Sequence, residues 1–225
     1  MNIQSITLKT DDLTKLYDFY SIILEMEITH SDTNAFSVKA GSTLLTFEND
    51  TASSEAFYHF AFNIPENQLD DSIEWLKGKA NLITLDGQSI FDFKAWNAHS
   101  IYFYDPVGNI IEFIARHGLD NASNEKFSGR SICSVSEIGM PVQNVKEFYD
   151  KLYNELSLPL FTGDLKTFTA TGDDKGLFII VPEERRWFPN CPPAEIFPIS
   201  VEIEGILNKE ILFREYGYRI ISMEI

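Results

Sequence analysis

The chain has 225 residues, of which 44% are hydrophobic and 23% charged, enough for one large or two small globular domains. Its net charge of −16 disfavours nucleic acid and anionic membranes as partners, because their phosphates would repel it. Two cysteines, Cys133 and Cys191, make no disulfide framework. The opening "MNIQSITLKTDD" reads as no signal peptide and no apolar run nears a membrane span, so a reduced, cytoplasmic protein is expected.

"SITLKTDDLTKLYDFY" begins at Ser5. Alternation across Ile6 and Leu8 predicts a strand, Asp11 or Asp12 an N-cap, and Leu13, Leu16, Tyr17, Tyr20 and Leu24 an amphipathic helix. "AFSVKA" and "TLLTFE" then read as two strands. The pattern returns at His59 in "HFAFNIPENQLDDSIEWL", with Asn67 as the expected cap and Leu69, Ile73 and Leu76 as the helical stripe. "SIYFYDPVGNIIEFIAR" follows as a hairpin around a Pro/Gly turn. A third copy starts at Glu137 in "EIGMPVQNVKEFYDKLY", with Asn144 capping Val145, Phe148, Tyr149 and Leu152, then "TFTATG" and "GLFIIV". "PISVEIEGILNKEILF" from Pro198 is the weakest copy, and only "YRIISMEI" follows it.

The repeating unit is βαβββ, present four times with the last truncated. The polar stretch "RHGLDNASNEKFSGRS" (116–131) reads as a connection. The expected fold is α+β: tandem βαβββ modules in cupped mixed sheets. The division is 1–117 with two modules, 118–130 as linker, and 131–225 as a second, degenerate pair.

"HFAFNIP", "SIYFYDPVGNIIEF" and "SITLKTDDLTKLYDFY" resemble the vicinal oxygen chelate superfamily, which includes glyoxalase I, extradiol dioxygenases, fosfomycin-resistance thiol transferases and bleomycin-binding proteins. The resemblance is good over 1–117, weaker over 130–180 and poor after 195. It implies paired modules forming an open cup with a divalent metal inside. Ligands would come from the first strand of one module and from the first and last strands of the other.

Strand parity places His59, Ala61 and Asn63 on one face, with Phe60, Phe62 and Ile64 opposite. A five-residue "DPVGN" loop sets Tyr104 across from Ile110 and Tyr102 across from Glu112, so Ser100, Tyr102 and Glu112 share the cup face. His59 and Glu112 match two ligand positions of the resemblance, and imidazole plus carboxylate suits Fe, Mn, Zn or Ni. The carboxylate of Glu112 among Ile110, Ile111, Phe113 and Ile114 is costly to bury without a partner or a metal. Two completions stay open. If the first module pairs with the second, Ser5 holds the third position, and a neutral hydroxyl is a poor ligand. If the second pairs with the third, Glu137 completes a one-histidine, two-carboxylate set. The fourth module offers Pro198 where a histidine would stand, which argues against a second metal site.

The resemblance assigns substrate contacts to Ser100 and Tyr102, and leaves Ser5 as a hydroxyl at the cup. Glu112 or Glu137 could move a proton. By parity His99 points away from the cup, and His30 and His117 lie in polar connections. The Pro-rich "PEERRWFPNCPPAE" (182–195) is long enough to lid a pocket or make a subunit contact. The expected function is a glyoxalase- or dioxygenase-like protein that holds a small oxygen-rich substrate with one divalent metal as Lewis acid. The alternative is a metal-free binding protein of bleomycin-resistance type. The shortened fourth module exposes sheet, which favours a homodimer.

Overall fold

Alternating apolar faces generate the fold. The computed structural model describes residues 1–51 and 55–224. The first module runs β1 (Asn2–Thr10), α1 (Leu13–Asp18), β2 (Glu27–Ser31), β3 (Ala35–Ala40) and β4 (Thr43–Asn49). Asp12 caps α1 by accepting from the Lys15 amide at 3.0 Å, and a π-helical turn at Phe19–Ile23 extends it. The second module runs β5 (His59–Ile64), α2 (Leu69–Leu76), β6 (Phe91–Phe93), β7 (Ala98–Tyr104) and β8 (Ile110–Arg116). Its cap differs from expectation: Gln68 precedes the helix without a side-chain bond, because the Asn67 side chain is taken up by the Ser123 backbone.

The third module runs β9 (Ser134–Val142), α3 (Val145–Leu156), β10 (Leu160–Gly163), β11 (Thr169–Asp173) and β12 (Gly176–Pro182). Asn144 caps α3 through the Glu147 amide at 3.1 Å. The fourth keeps β13 (Ile199–Gly205), β14 (Lys209–Phe213) and β15 (Tyr218–Glu224). Where the repeat would place a helix, β14 forms instead. Ile211 and Phe213 are buried and alternate with exposed Glu210 and Leu212, a period of two that suits a strand.

The strands form a seven-stranded sheet, β14-β15-β13-β1-β4-β3-β2, and an eight-stranded sheet, β10-β11-β12-β9-β5-β8-β7-β6. The sequence left open whether the second module pairs with the first or the third. It pairs with the third, through antiparallel β5 and β9, while the first pairs with the fourth through β1 and β13. Each sheet therefore draws one module from either side of residues 118–130. The linker reading of 116–131 also needs correction at its ends. Arg116 is the buried last residue of β8, and Phe127 is buried beneath α2 against Trp75.

The main core joins the apolar faces of both sheets to the helices. Ile6 and Leu8 meet Phe60, Phe62, Ile138, Met140 and Val201, with Leu16 and Leu152 from the helices. Each large buried aliphatic or aromatic side chain contributes roughly 1.5–3 kcal/mol by leaving water. Thr43 stitches the sheets: its Oγ1 donates to the Ile3 carbonyl at 2.8 Å and accepts from the Val135 amide at 3.0 Å. This packing leaves the opposite face of the eight-stranded sheet free to form a cup. Among the described residues no helix is long and apolar enough to cross a membrane.

Candidate metal centre and its cup

The central strand of the eight-stranded sheet sets the geometry. On β5, Ala61 stands opposite Glu112 of β8 on one side and Glu137 of β9 on the other. His59 is two residues away on the same face. A methyl side chain at Ala61 leaves the space between the two carboxylates clear. The result is a buried cluster of His59, Glu112 and Glu137 whose nitrogen and oxygen donors lie within 4.8 Å of one another. On the neighbouring strand the register is as the hairpin predicted: Tyr102 opposite Glu112 and Tyr104 opposite Ile110.

The histidine is oriented for an electrophile. Its Nδ1 lies 3.1 Å from the Ile110 carbonyl, which can only accept, so Nδ1 carries the hydrogen and Nε2 carries the lone pair. Nε2 faces Glu112 Oε2 at 3.7 Å. Burial above all pulls the His59 pKa down to about 4, and the Arg185 charge adds to this. The ring is therefore neutral at pH 7, and its contact with Glu112 is not an ion pair. A lone pair and a carboxylate face each other across a site that a cation would satisfy.

The carboxylates point the same way. Burial raises the pKa of both Glu112 and Glu137 above the usual carboxylate range, and the charge of Glu112 raises that of Glu137 further. Arg116 opposes both shifts, and the hydroxyls of Ser100 and Tyr102 oppose that of Glu112. Ser100 Oγ is fully buried, yet it closes no well-formed hydrogen bond among the described residues. Arg116 Nη2 donates to Glu137 Oε1, and Nη1 reaches Asp174 at 3.4 Å. One side of the Glu137 carboxylate is thus occupied and its charge partly balanced. A neutral imidazole with a free Nε2, beside two acidic carboxyls, is a donor set that fits a divalent ion of the Mn, Fe, Ni or Zn type.

The structure brings Ser100 and Tyr102 to the same cup and leaves Ser5 elsewhere. Ser5 lies on β1 in the seven-stranded sheet, paired with Glu202 and Leu44. It could reach this cluster only if the first module paired with the second. His99 lies 2.9 Å from His117 and near Asp92, away from the cluster, and His30 is exposed beside Asp32. Both cysteines are free.

Above the cluster is a cavity of about 350 Å³, at the small end of ligand pockets. Phe93, Trp96, Tyr102, Phe168, Trp187 and Phe188 form its walls. The loop between β12 and β13 is a lid. Trp187 is 4% exposed and packs on the His59 ring at 4.9 Å, and Phe188 packs against Phe91, Phe93 and Tyr102. Gly139 permits this approach, since a Cβ there would sit 2.6 Å from the Trp187 ring.

No family model matches the chain. The metallothiol transferase FosB of Staphylococcus haemolyticus is 34% identical over 116 residues, a match covering 49% of this chain and 80% of that protein. The chain belongs to the vicinal oxygen chelate superfamily. Solved structures agree on the fold across the full length. A putative dioxygenase from Bacillus subtilis superposes with a TM-score of 0.61 at 14% identity, covering 99% of this chain and 85% of that one. Glyoxalase I from Zea mays superposes with a TM-score of 0.58 at 10% identity, covering 99% and 92%. Within the vicinal oxygen chelate architecture, paired modules and a cup face are thus accounted for over the whole chain.

Two arginines at the cup stand outside the expected set of site residues. Glu112, Ile114 and Arg116 alternate onto one face of β8, so parity extends the strand into the polar stretch expected to be a connection. Arg185 lies in the Pro-rich loop expected to lid a pocket or make a subunit contact, and nothing in the local sequence says that it faces the cavity.

Proposed function

We propose that this protein is a metal-dependent enzyme of the vicinal oxygen chelate superfamily, acting on a small oxygen-rich molecule held in the cup of the eight-stranded sheet. The observation that carries the reading is the convergence of His59 Nε2 and the Glu112 and Glu137 carboxyls from three adjacent strands. A bound divalent ion would supply Lewis acidity toward substrate oxygens. His59, Glu112 and Glu137 would hold it.

The rest follows from the chain's own groups. The Ile110 carbonyl fixes the His59 tautomer, as a partner behind a ligating histidine does. Arg116 holds Glu137 in place and tempers its charge. Glu112 is the candidate proton carrier by position, since it stands on the cup face opposite Tyr102. The hydroxyls of Tyr102 and Ser100 flank it and would orient a substrate oxygen beside it. Trp187 and Phe188 keep bulk water away from the cluster. The name of the relative FosB, a metallothiol transferase, supports a metal-assisted group transfer, and the glyoxalase-like fold supports isomerase or lyase chemistry equally.

We place its action on small molecules, not nucleic acid or membranes, in keeping with the −16 charge. We further propose a homodimer through the β14 edge of the seven-stranded sheet, where Leu212 of β14, Ile206 and Leu207 of the turn before it, and Met223 of the neighbouring β15 stand exposed. The test of function is elemental analysis of the purified protein and of His59→Ala. One divalent ion per chain in the parent and a loss of it in the variant support the reading. Neither protein taking up metal above background returns the cup to the metal-free binding alternative.

A further inference from the structure

Arg185 stands out among the groups that the proposed metal chemistry does not use. It lines the cavity, is half-buried, and has no ion pair among the described residues. Its Nη1 makes only a long contact of 3.4 Å to the neighbouring Arg186 carbonyl, and its guanidinium lies over the Phe168 ring at 5.4 Å. The carboxylate that influences it most is Asp164, which is already engaged by the amides of Lys166 and Thr167 at 2.8 and 2.7 Å. A guanidinium with open donors, stacked on an aromatic face inside a cavity, is arranged to accept a carboxylate or phosphoryl group in fork geometry.

The arginine is also held still. The Glu184 amide donates to the Ala194 carbonyl and the Ala194 amide to the Arg185 carbonyl, both at 2.8 Å. The Cys191 amide closes on the Trp187 carbonyl at 2.8 Å. These bonds turn the loop into a tight hairpin that presents Arg185 and Trp187 together. The opposite wall is aromatic, with Phe93 and Trp96. An oxygen-bearing ligand that also carries a flat apolar body would be clasped between these rings, with its oxygens left to the polar groups of the cup.

We propose that the molecule taken by this cup is a flat aromatic or apolar anion, and that Arg185 binds its carboxylate, phosphonate or phosphate group. The inference rests on the cup being the ligand site, as in the function proposed above, but it does not require the ion. Arg186, adjacent in sequence and exposed, provides the internal control of equal charge.

The experiment is calorimetric titration of EDTA-treated protein with phenylphosphonate and with methylphosphonate. Phenylphosphonate is expected to bind at least tenfold more tightly than methylphosphonate. Arg185→Gln is expected to weaken phenylphosphonate at least tenfold, and Arg186→Gln to leave it within twofold of the parent. The inference is overturned if phenylphosphonate fails to bind the parent protein or binds no better than methylphosphonate. It is equally overturned if Arg185→Gln stays within twofold of the parent or if Arg186→Gln matches it. Because these titrations contain no metal, an Arg185 effect with no metal uptake would remove the metal reading alone.

Discussion

Arg116 and Glu137 form a buried ion pair that joins the second module to the third, with exposures of only 1% and 2%. The arginine sits at the end of the strand that also carries Glu112. One guanidinium therefore balances a cluster that otherwise holds two carboxyls and a neutral imidazole.

Removing that cation is expected to be costly. Arg116→Met leaves Glu137 buried without its partner, a loss of roughly 3–5 kcal/mol for a pair of this kind. For a chain of this size that lowers Tm by about 6–20 °C. Adding Glu137→Gln to Arg116→Met should recover part of the loss, because the two effects are coupled. Thermal denaturation of the two single variants and the double variant measures this, and strictly additive losses would contradict the pairing.

A second prediction concerns the turn that positions β8. Asp105 is buried, and its carboxylate accepts from the Val107 and Asn109 amides at 3.1 and 2.9 Å and from Tyr20 Oη at 3.2 Å. Burial nevertheless raises its pKa from 3.8 to about 6. The folded state thus holds this proton more tightly than the unfolded chain. The stabilisation is complete below pH about 4 and is lost as pH rises through about 6, amounting to about 3 kcal/mol. Urea unfolding of the parent and of Asp105→Asn across pH 4 to 7 tests it. The parent should lose about that much relative to the variant over this range, and parallel curves would contradict the assignment.

Gly139 carries a third. Any side chain there meets the Trp187 ring at 2.6 Å. Gly139→Ala is expected to displace Trp187 from His59 and to cost about 1–3 kcal/mol by overpacking. A red shift in tryptophan emission, with Trp187→Phe as reference, would show the lid lifted. An unchanged spectrum would mean that the lid accommodates a methyl group.

Much of the fold was legible because burial is periodic. Ile6 and Leu8, Phe60 and Phe62, and the hairpin register of Tyr102 against Glu112 all follow from the two-residue alternation of strands. His59 and Glu112 could be singled out because the resemblance marks their positions and a buried carboxylate demands a partner, and of the two completions left open the structure brings Glu137, not Ser5, beside them. Module pairing was not, since β1 and β5 carry similar apolar faces, and the choice of neighbour depends on packing between segments far apart in sequence. The fourth module misled for a related reason. "EGILNKEILF" has apolar residues compatible with helix or strand, and its place beside β15 settles the matter. Arg185 could not be assigned from sequence, because a loop has no periodicity to say where a side chain points.

The proposed metal set spans two modules, with Glu137 rather than Ser5 as its third member. Mn(II) titration followed by electron paramagnetic resonance, on the parent, Glu137→Gln and Ser5→Ala, tests it most directly. The account predicts one bound Mn(II) in the parent, affinity weakened at least tenfold in Glu137→Gln, and no change in Ser5→Ala. Mn(II) binding that survives Glu137→Gln but fails in Ser5→Ala would contradict it.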